Sequence, residues 1–244
     1  MSDSTLAPIE DVIAAIARGE IVVIVDDEDR ENEGDFIMAA EFATAEKLAF
    51  IVRYSTGVVC APLTDERCDD LRLPLMVEQN TESQRTAFTD TVDLIEGTST
   101  GISAADRAAT LRGLSDPKLT FKSFARPGHI FPLRARNGGV LKRAGHTEAG
   151  CDLSAMAGLS PASVICEIMK DDGTMARLPD LVEFAKEHNL KIGTIADLIQ
   201  YRSTKESLIE RMHERVIDTV QGQFNCISFR DKPTGSAHFA LVYG

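Results

Sequence analysis

Seven of the ten side chains from Asp26 to Asp35, in the stretch DDEDRENEGD, are carboxylates, interrupted by Arg30, Asn32 and Gly34. Hard carboxylate oxygens suit Mg2+, which keeps several of its waters and takes one or two protein carboxylates. The spacing does not fit a twelve-residue calcium loop, because the glycine and the terminal glutamate fall in the wrong places. An acidic run by itself is more often a solvated loop. This one follows residues 21–25, an unbroken β-branched run that reads as a strand buried on both faces. Strand ends are where open α/β sheets place ligands, which favours a site. Arg30 then pairs with the acids or meets an anionic substrate.

Two histidines share a local setting. His129 lies in RPGHIFPLRA and His146 in KRAGHTEAG, both in stretches that read as glycine-containing turns near arginine. A neutral imidazole ligates a metal or moves a proton near neutral pH. The segment Arg143, Ala144, Gly145, His146, Thr147 joins a guanidinium, a flexible backbone amide and a hydroxyl, the parts of a phosphate cradle. Glu167, within VICEIM, is a carboxylate in an apolar strand: burial would make it a base or acid near neutrality, and an outward-facing strand position is the alternative. Its neighbour Cys166 reads as a buried structural thiol rather than a nucleophile. Neither a P-loop nor a dinucleotide fingerprint occurs.

The elements that must position these groups follow from periodicity. Residues 8–18 carry Ile9, Val12, Ile13 and Ile16 at helical spacing, with Pro8 suited to the first turn and Gly19 to the cap. Residues 43–54, 104–114, 154–157 and 181–188 read as helices, the second of these opened by Ser103 and Asp106 in a near capping box. Residues 57–61, 88–94 and 163–169 read as strands, 79–84 as an exposed loop, and 126–129 as a turn. Strands and helices alternate without a strict βαβ rhythm. The expected fold is α+β, a mixed β-sheet flanked by helices in a three-layer single domain. Composition changes after Tyr201, where residues 203–216 look helical and charged, followed by short strand-like pieces.

At 244 residues and 43% hydrophobic, the chain can bury a substantial core. No secretory signal or apolar run of bilayer length is visible, and the five cysteines form no CxxC pair. A cytoplasmic protein with reduced thiols and no membrane partner is expected. A net charge of −12 without a basic run disfavours nucleic acid.

Several uncommon motifs occur in order: DDEDRENEGD at 26–35, STGIS at 99–103 leading into AADR, RPGHIFPLRA at 126–135, RAGHTEA at 143–149, and CE at 166–167 followed by DDGTMAR at 171–177. In these the chain resembles the 3,4-dihydroxy-2-butanone 4-phosphate synthases of riboflavin biosynthesis over about its first 200 positions. The resemblance implies conversion of D-ribulose 5-phosphate into 3,4-dihydroxy-2-butanone 4-phosphate and formate, with Mg2+ or Mn2+ required, by a homodimer. It implies that Glu31 and His146 hold the metal, that Arg30, Glu31, Asp35, the 143–147 segment and Glu167 contact the sugar phosphate, and that His129 and Glu167 are catalytic. Glu33 and Cys60 are further pocket candidates. Ala144 stands where relatives often carry glycine, and would strain the loop if a positive φ were needed there. The implied domains are 1–201, the synthase, and 202–244, which resembles a truncated opening of a GTP cyclohydrolase II domain with no activity of its own. The rivals are another metal-dependent phosphosugar isomerase or aldolase, and a non-catalytic binding module that has kept the fold.

Overall fold

The structure is a computed structural model that describes residues 6–206, 209–232 and 235–243. Two compact units divide between Leu198 and Ile199, three residues before the boundary expected from composition.

The first unit is built on seven strands: β1 (Val22–Val25), β2 (Gly34–Ala39), β3 (Cys60–Leu63), β4 (Val92–Leu94), β5 (Phe124–Arg134), β6 (Ser163–Glu167) and β7 (Lys191–Thr194). They form one mixed sheet in the order β4-β5-β3-β6-β2-β1-β7, with β1–β7 and β3–β5 parallel and the other neighbours antiparallel. The helices are α1 (Ile9–Ala17), α2 (Ala45–Arg53), α3 (Asp65–Asp70), α4 (Ala104–Ser115), α5 (His146–Met156) and α6 (Leu178–Glu187); α7 (Ile195–Lys205) runs across the division between the units. Because side chains alternate along a strand, β1 and β2 feed both faces. Val23, Val25, Phe36 and Met38 meet Leu48 and Ile51 of α2, Leu111 and Leu114 of α4, and Leu181 of α6. On the other face, Gly193 lies against Val12 of α1 and Gly150 of α5 lies against Ser163 and Ile165. Both β1 and β2 are buried at every position, which is why residues 21–25 are apolar without alternation. Each fully buried side chain of the size of Phe36 or Leu111 contributes about 1.5–3 kcal/mol by leaving water. The three-layer expectation for this unit is met.

Local signals set several boundaries. Pro8 occupies the N-cap of α1 and Gly19 follows it at φ 75°. The Ser103 side chain accepts the Asp106 amide at 3.1 Å, capping α4. Strand β3 starts at Cys60, later than expected, because Gly57 turns the chain at φ 78°.

Three expectations are corrected. Residues 126–129 do not form a turn between elements; they lie inside β5, where the register jumps from Val92 opposite Ile130 to Asp93 opposite Ala125. The Pro-Gly signal is absorbed as an irregularity that the neighbouring strand holds: Thr91 Oγ1 accepts the Gly128 amide and Asp93 Oδ1 the His129 amide. A Cβ on Gly128 would lie 2.0 Å from the Val92 carbonyl carbon, which is backbone and cannot rotate away. Gly128→Ala should therefore cost about 2–4 kcal/mol, a penalty of overpacking against rigid atoms, read as a lower denaturant midpoint. Second, α5 begins at His146, eight residues before the expected helix, since its glycines suggested a turn but Gly150 is used for close packing on β6. Third, the charged segment 203–216 is helical only to Lys205. From Ile209 it is strand, because pairing with the strand Gly222–Asp231 overrides helix propensity; residues 207–208 lie outside the described residues.

The second unit holds a three-stranded antiparallel sheet, β8 (Ile209–Thr219), β9 (Gly222–Asp231) and β10 (Ala237–Val242), in the order β10-β9-β8. Its described strand residues are half-buried or exposed.

Candidate active site

The strand ends converge as the sequence suggested. The acidic loop connects β1 to β2, α5 starts beside it, and the end of β6 sets Glu167 directly opposite Asp35 of β2. Together they line a cavity of about 190 Å3, with Arg30, Glu31, Glu33, Cys60, Arg143, His146 and Thr147 also on its wall. Glu82, Thr86 and Phe88 complete it from the segment before β4, which sequence patterning marked only as an exposed loop and a strand start.

Asp26 is the keystone of the acidic loop. Buried, it accepts the amides of Glu31 at 3.2 Å and Glu33 at 2.8 Å and the Arg30 guanidinium at 2.7 Å. Arg30 Nη1 also reaches Glu31 Oε2 at 2.6 Å, so one guanidinium bridges two carboxylates. From the start of α6, Arg177 Nη1 donates to the carbonyls of Glu31, at 2.8 Å, and Asn32, pinning the loop from the far side. Neither Asp26 nor Arg177 stood out in the sequence as a site group. Their partners lie along the loop or 145 and 146 positions away, where periodicity carries no signal.

Asp35 is 2% exposed and its Oδ1 has no hydrogen-bond partner. Burial first, then the charges of Glu167, Glu31, Glu33 and Asp26, push its carboxyl well above the ordinary range. Glu33 is raised for the same first reason, with Arg177 opposing. His146 is pushed down to about 4, chiefly by burial, so its ring is neutral at pH 7. Its Nε2 lies 3.1 Å from the Ile24 carbonyl, which fixes the proton there. The Nδ1 lone pair then faces Asp35 Oδ1 at 3.6 Å and Glu31 Oε2 at 4.0 Å. One ligand atom each from Asp26, Glu31 and His146 lie within 4.8 Å of one another. A neutral, oriented imidazole among oxyanions, with a buried carboxylate oxygen left unpartnered, is a donor set that fits a divalent cation.

Arg143 is held by Glu148 Oε2 at 2.7 Å and Thr86 Oγ1 at 3.0 Å. A Cβ on Gly145 would lie 2.3 Å from Arg143 Nη1, so only glycine lets the guanidinium fold over the N-terminus of α5. That helix presents Thr147 to the cavity at its positive end, which favours an anion. Ala144 is not among the residues with positive φ, so alanine is unstrained there.

His129 is the exception. Its side chain is 43% exposed, its Nδ1 lies 2.7 Å from Asp93 Oδ2, and it is absent from the cavity wall. It lies four residues along β5 from Leu133, which does line the cavity, roughly 13 Å at the rise of a strand. Cys166 is buried and its thiol is raised to about 11, chiefly by burial, which leaves it a structural residue.

The profile of a family described as 3,4-dihydroxy-2-butanone 4-phosphate synthase matches residues 10–201. Proteins of that name from Neisseria meningitidis serogroup B and Pseudomonas aeruginosa are both 52% identical to this chain, over 99% and 98% of it respectively. The chain spans 66% of the length of each, just under two thirds. Among solved structures, a two-domain 3,4-dihydroxy-2-butanone 4-phosphate synthase from A. baumannii superposes with a TM-score of 0.89 at 50% identity, covering 98% of this chain and 70% of that one. A synthase of the same name in complex with two magnesium ions superposes with a TM-score of 0.79 at 46% identity, covering 82% of this chain and 98% of that one.

Proposed function

Because the chain belongs to the 3,4-dihydroxy-2-butanone 4-phosphate synthase family, we propose that it converts D-ribulose 5-phosphate into 3,4-dihydroxy-2-butanone 4-phosphate and formate, a lyase step of riboflavin biosynthesis. The observation that carries this reading is the convergence of Glu31, Asp35, Glu167, His146 and Arg143 on one small cavity inside the family-matched region.

The reaction divides a five-carbon phosphosugar into a four-carbon product and a one-carbon acid, and it turns on repeated proton transfer at carbons next to a carbonyl. Glu31 and His146, with Asp26 behind them, hold Mg2+ or Mn2+ here, and the relative solved with two magnesium ions supports the metal. When bound, the cation supplies Lewis acidity to the substrate oxygens. Arg143 and the amides at the start of α5, with Thr147, bind the phosphate, while Arg30 and Asp35 face the sugar hydroxyls. Glu167 moves protons at the substrate carbons. Its place opposite Asp35 in a confined cavity suits a carboxylate that must exchange protons repeatedly.

If His129 is catalytic, as the family resemblance implies, it must reach a cavity other than its own. We therefore propose a homodimer in which each chain's His129 serves the partner's site. Asp93 holds Nδ1 and the backbone amide of His129, which leaves Nε2 free to act. All five cysteines are free, which supports a reducing, cytoplasmic setting. Among the described residues no helix is long and apolar enough to cross a membrane. Residues 202–244 are assigned no activity of their own: a zinc cyclohydrolase centre needs several thiolates, and Cys226 is the single cysteine there.

Purified protein with Mg2+ and ribulose 5-phosphate should release formate, measured with a coupled formate dehydrogenase, and chelation should abolish the release. Interconversion of the pentose phosphate without formate would instead support an isomerase.

A further inference from the structure

Thr56 lies outside the cavity wall, yet it makes the one side-chain hydrogen bond that reaches Glu167 among the described residues. Its Oγ1 donates to Glu167 Oε2 at 2.9 Å. The backbone repeats the link, with the Thr56 amide donating to the Glu167 carbonyl at 2.9 Å, and Ser55 bridges to Ile168 alongside. A hydroxyl has one proton to give. The Val58 amide donates to Oγ1 at 3.3 Å and the Cys166 Sγ, a weak acceptor, lies 3.7 Å away, so the carboxylate at 2.9 Å takes the Thr56 proton.

The segment that carries Thr56 is itself held in place. Gly57 turns the chain at φ 78°, and its amide donates to Ser55 Oγ at 3.1 Å. The Cys166 thiol, one residue before Glu167, donates to the same Ser55 oxygen at 3.1 Å. From α4, Arg107 directs Nη1 at the Gly57 carbonyl at 3.4 Å, while its buried Nε has no partner. Leaving a guanidinium nearly buried with so few bonds is costly, and here it is spent on bracing the loop behind Glu167. The result is a cavity-lining carboxylate whose Oε2 is held by a hydroxyl from outside the cavity wall.

We propose that Thr56 is a positioning residue: its hydroxyl fixes the rotamer of the Glu167 carboxylate so that one oxygen faces the substrate carbons. This rests on the synthase reading, in which Glu167 moves protons. A proton-transfer group must lie within hydrogen-bond reach of the reacting atom, so freeing its rotation lowers turnover while substrate binding, made elsewhere in the cavity, stays.

The test compares the full chain with its Thr56→Val and Thr56→Ser variants by steady-state formate release with Mg2+ and ribulose 5-phosphate. Thr56→Val should lower kcat roughly 10- to 100-fold with KM within about threefold, and Thr56→Ser, which restores the hydroxyl, should return kcat to within about threefold of the unsubstituted chain. Circular dichroism checks that each variant folds, and Thr56→Ala replaces Thr56→Val should the latter unfold. An unchanged kcat in the valine or alanine variant overturns the proposal. So does a serine variant as impaired as valine, or a loss confined to KM. No formate from the unsubstituted chain overturns the synthase reading itself, and this proposal with it, before any variant is compared.

Discussion

Co-expressed Glu167→Gln and His129→Ala chains should regain formate release that neither has alone. Each substitution by itself should lower turnover by about a thousandfold or more, the scale of removing a proton-transfer group whose loss other residues do not cover. Glu167 lines the cavity and His129 does not. In a dimer in which each site takes Glu167 from one chain and His129 from the other, the mixed pair keeps one intact site and one doubly impaired site. Random assortment of equal amounts makes half of the dimers mixed, so the mixture should reach roughly a quarter of the unsubstituted activity. Isolating the mixed dimer through two affinity tags should raise that to about half. A mixture as inactive as its components would place both residues in the service of one chain's cavity, and a His129→Ala chain that is fully active by itself would remove His129 from the chemistry.

Asp35→Asn should separate stability from activity. The Asp35 carboxyl is buried, its Oδ1 is unpartnered, and it faces Glu167 across adjacent strands. Like charges opposite one another on a sheet destabilise it, and a buried polar group left unpartnered costs on the order of 1–3 kcal/mol, the more so when it is charged. The neutral amide should therefore stabilise the metal-free protein by about that amount while lowering turnover at least a hundredfold. The pH dependence has a definite sign. Because the folded protein holds the Asp35 pKa above its unfolded value, ionisation adds no cost below about pH 4, where the carboxyl is protonated in both states. The cost grows as pH rises and levels off once the folded carboxyl has ionised. Thermal melts with chelator from pH 4.5 to 8.5 should show a gap between variant and parent that widens with pH. Added Mg2+ should narrow it, since a cation relieves the charge only in the parent. Equal melting at every pH would mean that Asp35 carries no buried-charge penalty.

Stabilisation by removal of a functional carboxylate is expected wherever a site gathers like charges before its cation and substrate arrive. Among the described residues, five carboxyl groups line this cavity, Glu31, Glu33, Asp35, Glu82 and Glu167, against the guanidinium groups of Arg30 and Arg143. The cationic contacts that Arg30 makes with Asp26 and Glu31 hold the loop together but leave Asp35 uncompensated.

The amino-acid sequence by itself determined the elements whose signals are local. The isoleucine spacing of α1, its proline and glycine ends, the doubly buried β1 and the Ser103 cap depend on residues within a few positions of one another, and each formed as read. The acidic loop after β1 and the ordered motifs pointed to Glu31, Asp35, Arg143, His146 and Glu167, which do share one cavity. Only the tertiary structure decided what each group touches. His146 owes its tautomer to a carbonyl 122 positions away, Glu167 its orientation to a hydroxyl 111 positions away, and the acidic loop its anchor to Arg177, 146 positions from Glu31. The same reason explains the misread segments. Residues 126–129 and the start of α5 carry glycines that mean a turn in isolation, but across the sheet those glycines admit the backbone of β4 and the side chains of β6. The place of His129 outside its own cavity follows from the register of β5, which a linear pattern does not contain.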